Sequence, residues 1–392
     1  MSDLFTLDKE HVAATYRRFP VALVRGEGSC VYDVEGRRYI DMGSGIGVTA
    51  FGHADPLWVE AVTRQASTLA HTSNLYYTEP CARLAALLSE RTGMARVFFA
   101  NSGAEANECA IKVARKHAAE KRGLSDAVIV TLKNSFHGRT LTTLAATGQE
   151  HYHELFQPLT PGFLHAEAGN IEEMTRILDE NAVAAVLVEC VQGEGGVIAL
   201  SPEYLQGLEA LCRARGVLLM VDEVQTGNGR SGMLYAYMTA GIKPDVVTTA
   251  KGLGGGLPIG ACLMSEEVAD VLGFGDHGST FGGNPVAAAG ALSVLSRLDG
   301  AFLAEVTRKA ELVRDTLAGK PGIRSVSGLG LMIGVETVRP AAEVVADCMA
   351  EGVLCLTAKH KVRLLPALNI DDAVLKEALS VLLAAAAKGV EE

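Results

Sequence analysis

The sequence predicts an α/β fold in which a mainly parallel sheet is covered by helices on both faces. Three observations carry that expectation. Between residues 95 and 265, short apolar runs alternate with helical stretches. The runs, at 97–99, 127–132, 183–188, 217–221, 246–247 and 259–264, lack polar alternation, which suits strands buried on both sides. The composition, 48% hydrophobic and 21% charged with 42 glycines, is that of a compact globular chain.

At 392 residues the chain exceeds one ordinary core, since a domain averages roughly 150 residues. The expected division is an N-terminal segment, 1–50, that joins a small domain; a large domain, 51–290; and a C-terminal small domain, 291–392. Residues 20–42 alternate apolar and polar positions around the turn formers Gly26-Glu27-Gly28 and Glu35-Gly36, predicting a small antiparallel sheet. Helical periodicity follows at 57–69 and, after a polar break at 72–80, at 81–90. Beyond residue 290 come helices at 287–298 and 303–317, a strand-like run at 331–335 and a last helix from Asp372. No long linker surrounds Gly328-Leu329-Gly330, and repeats and low-complexity tracts are lacking.

A net charge of -11 argues against nucleic acid and anionic membranes as partners, both of which need a cationic surface. The eight cysteines are scattered without a CxxC pair and read as reduced thiols. The start, MSDLFTLDKE, has no signal-like apolar core, and no apolar run reaches membrane-spanning length, so a cytoplasmic location is expected. His151 and His153 flank Tyr152 without further ligands at metal spacing; they read as surface groups, and no metal is expected.

Three strand ends carry the chemistry. Residues 97–100 run into Asn101-Ser102-Gly103-Ala104-Glu105-Ala106-Asn107 and then a helix. A helix N-terminus exposes unpaired N–H groups, Gly103 admits close approach and Ser102 adds a hydroxyl, so this is a candidate phosphate site; an ordinary N-cap fits the same residues. Asp222 closes the apolar run 217–221, where an ionised carboxylate needs a cation or several hydrogen bonds. A protonated pyridine nitrogen on one side, and a structural salt bridge or an Asp cap on the other, satisfy that need about equally. Lys251 lies between 246–250 and Gly252-Leu253-Gly254-Gly255-Gly256-Leu257-Pro258. Most lysines are solvated, but a buried one has a lowered pKa and attacks carbonyl groups. A nucleotide loop would end in its Lys, whereas this segment starts with one, and Gly193-Glu194-Gly195-Gly196 makes no dinucleotide fingerprint. A phosphate cup, a partner for a ring nitrogen and a Schiff-base amine, in this chain order, together predict pyridoxal 5'-phosphate, with Lys251 and Asp222 as the catalytic groups.

At this point the chain resembles a known family. Asn101-Ser-Gly-Ala-Glu-Ala-Asn107, Phe136-His-Gly-Arg-Thr140, Asp222-Glu-Val-Gln225, Ala250-Lys-Gly-Leu-Gly-Gly-Gly-Leu-Pro258 and His277-Gly-Ser-Thr-Phe-Gly-Gly-Asn-Pro285 look like the class III aminotransferases. The likeness runs from Arg25-Gly-Glu-Gly28 to Arg363 and is strongest to the N-acetylornithine aminotransferases. It implies the fold-type I architecture, a seven-stranded large domain plus a smaller α+β domain, and a homodimer with shared active sites. It further implies that Ser102, Gly103 and Ala104 bind the cofactor phosphate, joined by Thr280 from the other subunit. Phe136 stacks on the pyridine, Gln225 lies near the phenolic oxygen, and Asp222 partners the ring nitrogen. Arg139, Ser279 and Arg363 bind substrate, whose carboxylates suit a planar guanidinium. Glu194 pairs with Arg363 and swings aside when glutamate binds.

Some positions depart from the family pattern. Cys190 stands where Pro is common, and Thr49 where Asn is frequent. Ile46 replaces a Tyr that grips the free α-amino group in ornithine aminotransferases, which disfavours free ornithine; 4-aminobutyrate enzymes share an aliphatic residue there. The expected reaction moves the δ-amino group of N2-acetyl-L-ornithine to 2-oxoglutarate, giving N-acetyl-L-glutamate 5-semialdehyde and L-glutamate in arginine biosynthesis. The alternatives are a sister enzyme using succinylornithine, succinyldiaminopimelate, ornithine or 4-aminobutyrate, a non-catalytic pyridoxal phosphate-binding regulator, and a binding protein without cofactor.

Overall fold

The structure, a computed structural model, describes residues 2–389; Met1 and residues 390–392, at the outer ends of the first and last expected domains, lie outside the described residues. Its centre is a seven-stranded sheet in the order Arg96–Ala100, Gly260–Met264, Val246–Thr249, Leu218–Asp222, Val183–Val188, Val128–Leu132, Phe163–Ala166. Gly260–Met264 runs antiparallel to both neighbours, and the other pairings are parallel.

Alternate residues of these strands enter two separate cores. Leu218 and Met220 pack with Ile111 and Val113 of the helix Gly103–Arg122, while Leu219 and Val221 pack on the opposite face. A period of two with both sides apolar is why these runs show no polar alternation. One strand, Phe163–Ala166, is missing from the six apolar runs. It follows Pro161-Gly162, contains His165 and pairs on one side only, with Val128–Leu132, so it reads as loop.

The N-terminal strands Leu23–Glu27, Cys30–Asp33 and Arg38–Asp41 form an antiparallel meander. A fourth, Val353–Leu354, adds in parallel to Arg38–Asp41, so the chain's two ends meet in one sheet. A further antiparallel sheet runs Ile323–Leu329, Met332–Thr337, Lys361–Leu364, Leu356–Ala358. Only the run at 331–335 announces it in the sequence. Lys361–Leu364 is wholly buried despite Lys361 and Arg363, and two charges in four residues disguise a core strand as surface. The helices Gly300–Leu317, Ala341–Ala350 and Asp372–Ala387 supply buried residues to the same core. Among the described residues no single helix is long and apolar enough to cross a membrane.

Because Gly260–Met264 is antiparallel to both flanking strands, those two run in the same direction as the parallel set. Ala100, Leu132, Val188, Asp222 and Thr249 therefore end at one edge of the sheet, where α/β folds place their ligands.

Candidate active site

A cavity of about 470 Å³ opens at that edge, lined among others by Gly103, Phe136, Arg139, Asp222, Gln225 and Lys251. Residues from four separate strand ends thus converge, although up to 148 positions separate them in the chain, from 103 to 251.

Asp222 is 4% exposed and, among the described residues, has no lysine or arginine partner; hydrogen bonds hold it instead. Its Oδ2 accepts from Asn107 Nδ2 and lies by His137 Nδ1, both at 2.8 Å, and its Oδ1 accepts from Val224 N at 3.0 Å. Asn107 is itself oriented by the Thr248 hydroxyl at 2.6 Å and donates to His137 O at 2.8 Å. Asp222 thus sits in an oriented web in which His137 forms an ion pair only if protonated and Val224 N makes the local backbone bond of an Asp cap.

Lys251 follows the strand Val246–Thr249 in a left-handed conformation, φ 46°, unusual for a residue with a side chain. Asn228 steadies this turn, donating to Thr249 Oγ1 at 2.9 Å and Ala250 O at 3.1 Å. Burial pushes the Lys251 ammonium below its ordinary value, against the opposing pull of Glu194 and Asp222, and among the described residues no side-chain hydrogen bond engages it. A buried amine whose pKa is pushed down and which has no bonded partner is suited to act as a nucleophile.

Ser102 does act as an N-cap: its Oγ accepts from Glu105 N at 3.2 Å. The first bond of the helix runs from Ala106 N to Ser102 O, so the amides of Gly103 and Ala104, on the cavity wall, fall outside the helical ladder. A Cβ on Gly103 would stand 2.6 Å from Val224 Cγ1, which explains glycine there.

Arg363 and Glu194 are not among the residues that line the cavity; they adjoin it through Gln225, which does. Arg363 Nη1 is 2.5 Å from Glu194 Oε1 and donates to Gln225 Oε1 at 3.2 Å. Burial alone would raise the Glu194 pKa, but the charge of Arg363 and its hydrogen bond hold it below the ordinary value. Arg139 is exposed at the mouth, its guanidinium over the rings of Phe136 and Tyr152.

Ser279 and Thr280 are not in this cavity. They line a neighbouring hollow with Asn101, and the Ser279 hydroxyl is engaged by Asn101 Nδ2 at 3.2 Å and Gly282 N at 2.9 Å. Ile46 is also outside: it occupies a left-handed turn, φ 65°, in a groove with Arg17 and Leu356, while Val48 two residues on reaches the cavity wall.

Three residues at the site had no role in the sequence reading: Asn107, His137 and Glu189. Glu189 follows the strand Val183–Val188 as Asp222 closes its own, so the same signal was present. It accepts from Phe136 N at 2.9 Å and Gly193 N at 3.3 Å, and burial raises it to about 7. Asn107, a poor helix former inside a helix, also signals a tertiary task.

The residues fit pyridoxal phosphate: free amides at a helix start, a half-buried ring at Phe136, a hydrogen-bonded carboxylate and an unengaged amine surround one cavity. Such a layout at the carboxyl edge of the sheet defines an amine-handling α/β enzyme. More particularly, the chain belongs to the class-III aminotransferases, whose family model matches residues 11–386. These are pyridoxal phosphate-dependent transaminases. An acetylornithine aminotransferase of Haemophilus ducreyi is 52% identical over 378 residues, 96% of each chain. An N-acetylornithine aminotransferase structure from Stenotrophomonas maltophilia superposes with a TM-score of 0.85 at 36% identity, covering 98% of both chains. An ornithine aminotransferase from Toxoplasma gondii, with partial occupancy of PLP at its active site, gives 0.94 at 34% identity, covering 99% of this chain and 94% of that one.

Proposed function

We propose that this enzyme transfers the δ-amino group of N2-acetyl-L-ornithine to 2-oxoglutarate, using pyridoxal 5'-phosphate bound by its own Lys251. The observation that carries this reading is the pairing of one buried, unengaged amine with two guanidinium groups, Arg139 open at the mouth and Arg363 covered by Glu194. Backbone similarity does not favour this donor, since an ornithine enzyme superposes at least as well as an acetylornithine enzyme; the choice rests on the 52% identity to the latter, because Ile46 lies outside the cavity.

The bound cofactor supplies a carbonyl that takes up the amino group and a ring that withdraws electrons from the reacting carbon. The amides of Gly103 and Ala104 hold its phosphate, where the positive end of the helix Gly103–Arg122 favours an anion. Asp222 keeps the ring nitrogen protonated, and Asn107 and His137 keep Asp222 oriented. Phe136 would cover the ring face, and Gln225 would lie at its edge. Lys251 would serve as the base and acid that moves a proton from the reacting substrate carbon. Arg139 binds the donor carboxylate, and Glu194 keeps Arg363 covered until a second carboxylate arrives with 2-oxoglutarate. Acetylation removes the nucleophilicity of the α-nitrogen, so only the δ-amine reacts.

A cytoplasmic homodimer completes the proposal. Asn74 Nδ2 donates to Ser279 O and Gly282 O, both at 2.9 Å, joining the segments around residues 74 and 280 into one surface. Leu75, Tyr76, Tyr77 and Phe281 are exposed on it, an apolar patch suited to a second copy. Thr280 on this surface would serve the partner's site.

Mixing purified protein with acetylornithine, ornithine, succinylornithine and 4-aminobutyrate, and following the cofactor absorbance in a single turnover, tests the assignment. Acetylornithine should react fastest. A clear preference for ornithine or 4-aminobutyrate would sink the donor assignment, and a lack of steady glutamate formation would favour a non-catalytic regulator.

A further inference from the structure

Arg139 has an unusually well-built surrounding for an exposed side chain. Its backbone is fixed on both sides. Gly138 has φ +137°, and a Cβ there would meet Thr143 Oγ1 at 2.4 Å and Ala104 Cβ at 2.8 Å. Thr140 begins a capping box for the helix Leu141–Ala146. The side chain itself, among the described residues, meets no carboxylate. Its guanidinium carbon lies 4.5 Å from the Tyr152 ring centroid and 5.4 Å from that of Phe136, and Nη2 donates to Tyr152 Oη at 3.4 Å.

Tyr152 is held in its turn. It closes the single turn Glu150–Tyr152, its ring lies 3.9 Å from that of His151 and meets Phe136 edge-on at 5.8 Å. His153 Nε2 donates to Leu144 O at 2.9 Å, tying this segment to the helix that follows Arg139. The polar stretch around Tyr152 is thus bound to the loop that carries Arg139.

An aromatic face attracts a cation while occupying few of its hydrogen-bond donors. Arg139 therefore keeps its fork available for a carboxylate, whereas Arg363 spends Nη1 on Glu194 and Gln225. We infer that Tyr152 is a positioning residue for substrate carboxylates: its ring holds the Arg139 guanidinium ready at the cavity mouth, so that both the donor and 2-oxoglutarate meet it pre-oriented. The inference rests on the proposed role of Arg139 as a carboxylate site.

The test compares Y152L, Y152F and R139M with the parent holoenzyme. KM and kcat are measured for acetylornithine and 2-oxoglutarate, and calorimetry gives the affinity for glutarate, a dicarboxylate with no group that reacts. Y152L should raise both KM values and weaken glutarate by about three- to thirtyfold, the range of a cation–π contact. kcat should move far less, and Y152F, which keeps the ring, should recover most of the loss. Unchanged glutarate affinity in Y152L, a fall in kcat at constant KM, or equal damage in Y152F would each overturn the inference. If R139M weakens glutarate and Y152L does not, only the role of Tyr152 falls; if R139M changes nothing, the reading of Arg139 falls as well. Y152S replaces Y152L in the comparison should thermal unfolding show that the leucine perturbs the fold.

Discussion

Arg363 and Glu194 form an ion pair at 2.5 Å in which the arginine is 4% exposed and the glutamate side chain 26% exposed. The asymmetry gives the pair a direction of opening. Glu194 has the more open side, so in the proposed mechanism the covered guanidinium is the fixed half and the carboxylate the movable one. Removing the carboxylate in E194A leaves Arg363 open to any substrate carboxylate. The rate ratio of the acetylornithine to the glutamate half-reaction should fall by on the order of tenfold, from loss of one charge pair at a partly hydrated site. Stopped-flow half-reactions read it, and an unaltered ratio would show that Glu194 does not gate Arg363.

Lys251 is the most consequential single side chain. K251A should retain its fold, because burial disfavours the ammonium there. Turnover should fall by at least about 10³-fold, the scale of losing a general acid–base together with the covalent tether. Borohydride treatment followed by peptide mass analysis should find a cofactor adduct at Lys251 in the parent and none in the variant. An adduct on another lysine would reassign the site.

Asp222 presents a carboxylate oxygen to two donors, Asn107 and His137. In D222N one oxygen becomes an amide N–H₂, which donates and accepts from none of Asn107, His137 and Val224 N, and the neutral amide does not favour a protonated ring nitrogen. Turnover should fall by about 10²- to 10³-fold, typical of removing a preorganised charge from a catalytic site. N107A, which loosens Asp222 without removing it, should cause a smaller loss. Equal activity of D222N and parent would leave Asp222 a merely structural acid.

Glu189 and Glu223 make stability depend on pH. Both are deeply buried, and burial raises each from 4.5 to about 7. Between those two pH values the folded chain holds protons that the unfolded chain has released, so stability falls as pH rises through about 4.5 to 7 and levels off above. The difference corresponds to about 3 kcal/mol for one such group. E189Q keeps one acceptor, enough for Phe136 N, gives up the longer bond from Gly193 N, and has no proton to lose. Its urea midpoint should decline less than the parent's between pH 4.5 and 7, with Glu223 accounting for what remains. A parallel decline in both proteins would place the titration elsewhere.

The fold was legible wherever a local pattern mirrors burial. Strands buried on both faces have to be apolar throughout, so five of the seven central strands overlap clear hydrophobic runs, and the short run at 97–99 marks the strand Arg96–Ala100. Phe163–Ala166 and Lys361–Leu364 escaped because one is an edge strand and the other buries charges that only distant partners satisfy. Ala341–Ala350 is a short helix in a segment where periodicity over ten residues is weak evidence.

By itself the sequence determined the chemical inventory: a Ser-Gly-Ala helix start, an Asp and a Lys at strand ends, and the motifs that place the chain among the class III aminotransferases. Those features are local, since strand ends, caps and glycine turns are written in consecutive residues. Only the tertiary structure decided what each group meets. It gave Asp222 its donors from Asn107 and His137, covered Arg363 with Glu194, and set Tyr152 against Arg139. Such partners are 13 to 169 residues apart, and the energy of charges and hydrogen bonds depends on distance in space, which sequence order does not record.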